Sequence, residues 1–197
     1  MRISDDRYNR DRQRLDIAMH FIRHEARTHT IRQWTGLTDD RIRKLYRSYL
    51  QDGGCRLTRH RGKSPQQAAF FLRSVRLRHE AGALAGLCCL VGVLERHQGR
   101  VDSAPLAGVT RAAALCRAYD VYQAIVTAPG IGFEHAVLLV NALARGSELA
   151  LGDCHGCGTL VVVDALALRP ARCVLCATED LRRVPACNNA RSALPAP

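Results

Sequence analysis

Four cysteines near the C-terminal end are the residues whose type and spacing are best suited to chemistry. They form two C-x2-C pairs, "CHGC" and "CVLC", with fifteen residues between the pairs. Two such pairs about 15 to 20 residues apart are typical of zinc sites, in which four thiolates bind the ion tetrahedrally. Because sulfur fills every coordination position, such a site is structural. The spacing therefore predicts one structural Zn²⁺ bound by Cys154, Cys157, Cys173 and Cys176.

Two other uses of cysteine compete with this interpretation. A disulfide framework is typical of small secreted chains, whereas this sequence has an odd number of cysteines, nine, and opens with a charged segment unlike a signal peptide. We therefore expect a cytoplasmic protein with reduced thiols. A thioredoxin-like redox pair would normally open a helix in a βαβ unit, which the sequence does not predict. A redox pair and coincidental spacing remain as alternatives to zinc.

The positive charge lies almost entirely in the first part of the chain. Residues 1–80 contain 19 Lys and Arg against 9 Asp and Glu, a net charge of +10, whereas the remaining residues contain 10 against 9, a net charge of +1. A one-sided excess of cations favours a polyanionic partner, because every neutralised phosphate releases condensed counterions. The alternative is a basic surface that is merely solvated.

Residues 1–52 predict a basic helical part that contains a helix-turn-helix-like pair. Apolar residues recur at helical spacing from about residue 9 to 24, a short helix follows at about 27–34, and Gly36 precedes a third helix with Thr38 as its N-cap. In a DNA-binding helix-turn-helix, the second helix of the pair enters the major groove. Many proteins that do not bind DNA contain similar helix pairs, so this motif alone leaves the function open.

A basic, glycine-containing loop is predicted over residues 53–64, where it could contact phosphates. The candidate DNA-binding residues are the polar and basic side chains of this loop and of the third helix: Thr38, Arg43, Lys44, Arg47, Arg59, Arg61 and Lys63.

The rest of the chain predicts a mostly α-helical protein with a small β-containing module at its C-terminal end. Residues 65–147 predict a helical body, with helices at about 65–79, 81–97, 105–127 and 133–145. Their nearly continuous apolar runs suggest burial inside the body or against a partner. Residues 148–177 predict the four-cysteine zinc module with a strand over 159–163, and residues 178–197 predict a disordered tail. No apolar run is long enough to span a membrane.

Three stretches together resemble the FlhC family, the zinc-binding subunit of the bacterial flagellar master regulator. They are "LTDDRIRKLYRSYL", "RGKSP" and "FEHAVLLVNALARGSELALGDCHGCGTLVVV", and the similarity in order and spacing covers roughly residues 10–180. The resemblance implies a mostly helical protein that joins an FlhD-type subunit in a hetero-oligomer, binds promoter DNA and activates flagellar genes, with RNA polymerase as a further partner. It also places the zinc ligands at the same four cysteines.

Two other classes of function stay open from the residues alone. One is an RNA-binding or assembly protein with a zinc ribbon, although aromatic residues make up only 5% of the chain, which disfavours a stacking surface for single strands. The other is an enzyme with a structural zinc. The sequence contains no nucleophile elbow, P-loop, dinucleotide-binding or zinc-protease motif, so we expect no enzyme.

Overall fold

The structure is a computed structural model, and it describes residues 2–52, 60, 62–97, 100–103, 108–168 and 170–183. Over these residues the protein is mostly helical, with two small antiparallel sheets of two strands each. The elements are α1 (Arg2–Arg23), α2 (Thr28–Thr35), α3 (Asp39–Asp52), a 3₁₀ helix (Ala68–Leu72), α4 (Val75–Leu90), β1 (Leu94–His97), β2 (Arg100–Ser103), α5 (Gly108–Ile125), α6 (Phe133–Arg145), β3 (Leu149–Asp153), β4 (Leu160–Asp164) and α7 (Val174–Arg183). None of the described helices combines the length and the apolar composition that crossing a lipid bilayer requires.

The first three helices pack on one another as their apolar stripes predict. Ile22 of α1, Ile31 of α2 and Ile42 of α3 are completely buried. Gly36 ends α2 in the left-handed conformation with φ 71°, and its N–H donates to the carbonyl of Arg32 at 2.9 Å. The hydroxyl of Thr38 then accepts the N–H of Arg41 at 3.4 Å, the bond expected of an N-cap.

The middle of the chain differs from the predicted run of helices. The sequence predicts a helix over 65–79 that starts at Ser64 and Pro65. The structure instead has a 3₁₀ helix followed by α4, and Ser74 caps the start of α4 by accepting the N–H of Leu77. The helix expected over 81–97 ends at Leu90, since Gly92 adopts φ 76° and turns the chain into the β1–β2 hairpin. The predicted helical body of residues 65–147 therefore contains a hairpin that periodicity did not indicate.

Helix α4 lies against β4, and glycine makes that approach possible. A Cβ added to Gly82 would stand 2.9 Å from the backbone carbonyl oxygen of Leu160, closer than such atoms pack. A Cβ added to Gly86, one turn later, would only touch the Leu160 side chain at 3.7 Å. The apolar run "ALAGLCC" thus belongs to a helix whose small residues pack against a strand of the same chain, and Leu84 and Cys88 are completely buried.

Helices α1, α5 and α6 meet in an aromatic cluster around His24. Its ring stacks on Phe133 with centroids 4.9 Å apart and meets Tyr119 edge-on at 5.0 Å, while its Nε2 lies 3.1 Å from Asp120. Burial lowers the pKa of His24, although the Asp120 carboxylate opposes that shift. The imidazole ring packs against the aromatic core, and its contact with Asp120 links the end of α1 to α5.

A buried carboxylate, Glu80, joins α4 to the connection between α5 and α6. It is 3% exposed, and it accepts hydrogen bonds from Arg76 Nε at 2.6 Å, from the Gly130 N–H at 2.8 Å and from the hydroxyl of Tyr122. Burial alone raises the pKa of Glu80, but the bonds from Tyr122, Arg76 and Gly130 outweigh burial and hold the pKa below its ordinary value.

We predict that Gly82→Ala destabilises the protein by about 1 to 3 kcal/mol, because the new methyl group meets backbone that cannot rotate away. Gly86→Ala is the matched control in the same helix, where the methyl group has room and should stabilise by up to about 1 kcal/mol. Urea unfolding followed by circular dichroism measures both changes. Equal effects of the two substitutions would contradict the close packing of α4 on β4.

We predict that Glu80→Gln lowers the free energy of unfolding by about 2 kcal/mol at pH 7, since the amide loses charge-assisted bonds at a buried position. A carboxylate with a lowered pKa stabilises the fold above its unfolded pKa, and that contribution disappears as the pH falls through its folded pKa. The difference between Glu80→Gln and the parent protein should therefore shrink below about pH 4. Denaturant unfolding at pH 7, 5 and 3.5 measures it, and a difference that stays constant with pH would contradict an ionised Glu80.

Candidate metal centre and basic helix face

The four sulfur atoms of Cys154, Cys157, Cys173 and Cys176 lie within 4.8 Å of one another. The Sγ atoms of Cys157 and Cys173 are 3.6 Å apart, far beyond the length of about 2.05 Å of a disulfide bond, and all four cysteines are free thiols. The structure thus brings together the four residues that spacing predicted, although fifteen residues separate the pairs.

The first C-x2-C pair sits in the turn that joins β3 to β4. Cys154 donates its N–H to the carbonyl of Thr159 at 2.8 Å and accepts the N–H of Gly158 at its own carbonyl at 2.8 Å. Gly158 adopts φ 73°, a left-handed conformation that favours glycine. The strands on either side pair from Leu149 with Asp164 to Asp153 with Leu160, so the hairpin holds the turn in place.

The second pair lies at the start of α7 and faces the first. The N–H of Cys173 donates to the Cys154 sulfur at 3.1 Å, and the N–H of Cys176 donates to the Cys173 sulfur at 3.4 Å. His155 donates its N–H to the carbonyl of Ala171 at 3.0 Å, which adds a backbone link between the two cysteine pairs.

The tail predicted to be disordered from residue 178 instead begins as helix, because α7, which starts within the second cysteine pair, continues to Arg183. Residues 184–197 lie outside the described part of the chain.

Gly156 allows the two cysteine pairs to approach each other, because glycine has no Cβ. A Cβ at this position would stand 2.9 Å from the Cys176 sulfur and 3.1 Å from the Cys176 Cβ. Thr159 is a further member of the site that sequence reasoning missed, since its hydroxyl lies 3.4 Å from the Cys157 sulfur. A hydroxyl two residues after a C-x2-C pair is too common a feature to have identified it.

The pKa values of the thiols in the cluster are shifted in different directions. The Cys173 N–H donates to Cys154 and lowers the pKa of that thiol to about 6, and the Thr159 side chain lowers the pKa of Cys157. The pKa of Cys176 is raised, first by hydrogen bonding of its thiol to Cys173 and then by hydrogen bonding to Cys157. A bound cation replaces such protons, so binding of metal to this cluster releases protons and strengthens with rising pH.

The cluster fits a tetrahedral divalent ion. Metal–sulfur bonds of about 2.3 Å place tetrahedral sulfurs about 3.8 Å apart, close to the 3.6 Å between Cys157 and Cys173 and compatible with the 4.8 Å limit for the whole set. Cys154 and Cys173 are buried, Cys176 is half-buried and Cys157 is exposed. Four sulfurs complete the coordination shell, so these residues can hold an ion but leave it no open position for substrate.

The other described cysteines and the histidine between the ligands stay outside the cluster. Cys88 and Cys116 are buried among helices, as small apolar residues are, and burial raises the pKa of each to about 12. Cys89 is half-buried. His155 is exposed to solvent.

The predicted DNA-binding residues of α3 lie on its exposed face. Arg43, Lys44 and Arg47 are all exposed, while Ile42 and Tyr46 on the opposite face are buried. Tyr46 also donates its hydroxyl to the carbonyl of Ala26 and so ties α3 to the turn after α1. Thr38 is exposed as well, but its hydroxyl caps α3. The buried apolar face of α3 therefore holds the helix in place, while its cationic face is exposed.

Of the three predicted loop residues, the structure describes Lys63. Its side chain is exposed, and its backbone carbonyl accepts a hydrogen bond from the Arg27 guanidinium, which holds this end of the loop near the start of α2. Arg59 and Arg61 lie outside the described residues.

Two carboxylates contact the N-terminal helices, and the sequence analysis did not predict either contact. Glu134, in the first turn of α6, accepts the Arg27 N–H at 2.7 Å and the Thr30 hydroxyl at 2.9 Å, so it caps the start of α2 from 104 residues or more along the chain. Asp40 lies 2.9 Å from Arg43, one of the predicted DNA-binding residues. No local pattern indicates the Glu134 contact, whereas the i, i+3 spacing of Asp40 and Arg43 could have indicated theirs.

Comparison of the chain with models of protein families gives no match, and comparison with curated protein sequences gives no significant match. What the protein does must therefore be inferred from its cysteine cluster, from the exposed cations of α3 and from the sequence resemblance described above.

We predict that the purified protein contains about one equivalent of a divalent metal, and that Cys157→Ser loses most of it, because the four ligands act together. Cys89→Ser, the same substitution outside the cluster, is the control and should keep the metal. Elemental analysis under reducing conditions without chelators measures both. Full metal retention by Cys157→Ser would contradict binding by four sulfurs.

Proposed function

We propose that this chain is the DNA-binding subunit of a hetero-oligomeric transcriptional activator of the FlhD/FlhC type, with a structural zinc ion in its four-cysteine site. The observation that carries the proposal is the face of α3, where Arg43, Lys44 and Arg47 are exposed while the opposite face is buried against α1 and α2. The proposal assigns no catalytic residue, since the complete sulfur shell has no place for a reacting molecule.

Zinc is the metal that best suits the cluster. Thiolates are soft ligands, which select zinc, copper(I) or iron over magnesium and calcium. Four sulfurs within 4.8 Å of one another suit a single tetrahedral ion, and zinc prefers this geometry without taking part in redox chemistry. The ion would hold the β3–β4 turn and the start of α7 together, which is a task of folding rather than of catalysis.

Double-stranded DNA is the polyanion that a rigid helix face suits best. The α2–turn–α3 unit has a short left-handed turn at Gly36 and a second helix with its cations outward, the arrangement that places a helix in a major groove. Lys44 and Arg47 lie three positions apart on this face, and no described carboxylate forms an ion pair with either of them. They are available to neutralise phosphates.

The partner and the target genes rest on the resemblance to the FlhC family. That resemblance implies an FlhD-type subunit, flagellar promoters and contact with RNA polymerase. Support for a protein partner comes from exposed apolar side chains of the cysteine module, since exposed apolar groups mark contact surfaces. Leu166 is 82% exposed and Leu175 is 68% exposed. The apolar runs of α4 and α6 lend less support, because most of their residues are buried within the chain itself and Leu90, at the end of α4, is the main exception at 83% exposure.

We predict that replacing Lys44 and Arg47 together by Ala weakens binding to a duplex and lowers the slope of log affinity against log salt by about 2, one for each lost phosphate contact. The control is the replacement of Arg117 and Arg145 by Ala, which removes two exposed cations from α5 and α6. Fluorescence anisotropy with a labelled duplex at several salt concentrations measures the slopes.

Equal losses in the two double variants would mean that only net charge matters and would contradict a binding face on α3. Binding that is unchanged by the Lys44 and Arg47 substitutions would contradict it too. A parent protein that binds single-stranded RNA more tightly than duplex DNA would replace the proposed function by the RNA-binding alternative.

A further inference from the structure

The first turn of α3 carries an ion pair in the centre of the proposed DNA face. Arg43 Nη1 donates to Asp40 Oδ1 at 2.9 Å, and the two residues are spaced i, i+3 on the exposed side of the helix. Asp40 is 83% exposed and Arg43 is 53% exposed, so neither side chain fills the core. An ion pair this exposed adds little to the stability of a fold.

An exposed carboxylate in this place opposes the proposed function unless it serves a purpose there. Its negative charge repels phosphates of any sequence and so weakens binding to every duplex. Other acids near this face have structural tasks: Asp11 lies 3.7 Å from Arg41 and links α1 to α3, and Asp39 lies 3.7 Å from Arg32 and links α3 to α2. Asp40 lies in the first turn of α3, where the helix dipole favours an acid, but its pair with Arg43 joins no two elements.

The chemistry of the pair suits the recognition of a base. A guanidinium has five N–H donors in one plane, and a guanine presents two acceptors, O6 and N7, to the major groove. The bond to Asp40 engages one donor and leaves four. A carboxylate bonded to one edge of the group restricts the rotation of the long arginine side chain, so less conformational entropy is lost when the other edge meets a base.

We infer that Asp40 is a positioning residue that holds the Arg43 guanidinium for bidentate recognition of a guanine, while Lys44 and Arg47 contact phosphates. The inference rests on the proposed binding of duplex DNA and deepens it. It divides the cations of α3 into one that reads a base and two that supply affinity. Arg43 is the cation of this face that has a carboxylate on its own helix within bonding distance.

The test starts with a selection of bound duplexes from a random-sequence pool by the full-length protein. Affinities are then measured for the selected duplex and for duplexes in which one G·C pair at a time is replaced. Loss of an arginine–guanine contact should cost about tenfold in affinity at one position. The variants Asp40→Asn and Arg43→Ala should both lose most of the preference at that same position, and the double variant should lose no more than Arg43→Ala alone, because the two residues act as a unit.

Asp11→Asn is the matched control, since it removes the same charge from the same end of the molecule without touching Arg43. Both Asp→Asn variants should bind unselected duplex somewhat more tightly, because each removes one repulsive charge. The base preference should change in Asp40→Asn and persist in Asp11→Asn. Thermal unfolding of both variants checks that neither change follows from a loss of fold.

The inference is overturned if Asp40→Asn keeps the full preference for guanine, or if Asp11→Asn loses as much of it. It is also overturned if the parent protein binds duplexes with salt-dependent affinity but without preference for any base pair, a result that leaves the proposed DNA binding intact. Failure of the parent protein to bind any duplex would contradict the proposed function itself.

Discussion

The close approach of α4 to β4 is the constraint on which the arrangement of the molecule depends. Gly82 has no Cβ, and the carbonyl of Leu160 occupies the space where one would lie. Leu160 is also the first residue of β4, and the turn that carries Cys154 and Cys157 ends just before it. The strand that follows the first cysteine pair is therefore held against α4, a largely apolar helix of the body. A bulkier residue at position 82 would separate the cysteine module from the helices that support it.

Two parts of this molecule are built on different physical principles. In the cysteine module, the two cysteine pairs are linked by hydrogen bonds to sulfur, and the four sulfurs lie close enough together to hold an ion. The N-terminal helices depend on an apolar core, with Phe21, Ile31 and Ile42 completely buried, and their charges stay outside. This division leaves the cations of α3, such as Arg43, Lys44 and Arg47, at the surface.

The sequence was sufficient where a local rule decides the structure. Cysteine spacing identified all four members of the cluster, and turn glycine with apolar periodicity located α1 to α3 and α6 to within a few residues, except for the start of α1. It failed where competing local signals had similar strength. Ser64 with Pro65 and Ser74 are both good helix starts, and the structure has the cap at Ser74. Long-range contacts such as Glu134 capping α2 leave no local pattern, and neither does the β1–β2 hairpin within an apolar region.

The cysteine cluster and the basic face are connected by a continuous set of packed elements. The cluster fixes the turn before β4, β4 lies on α4, α4 packs against α5, and α5 contacts both α1 and α2, on which α3 rests. Glu80 strengthens the middle of this path, because it bonds α4 to Tyr122 of α5 and to Gly130 in the following connection. Under the proposed function, rigidity of this support matters, because a misplaced side chain on α3 would lose its hydrogen bonds to a base. The proposal therefore gives an ion at the cysteine cluster an indirect part in recognition, because the ion would keep in place the strand β4 against which α4 packs.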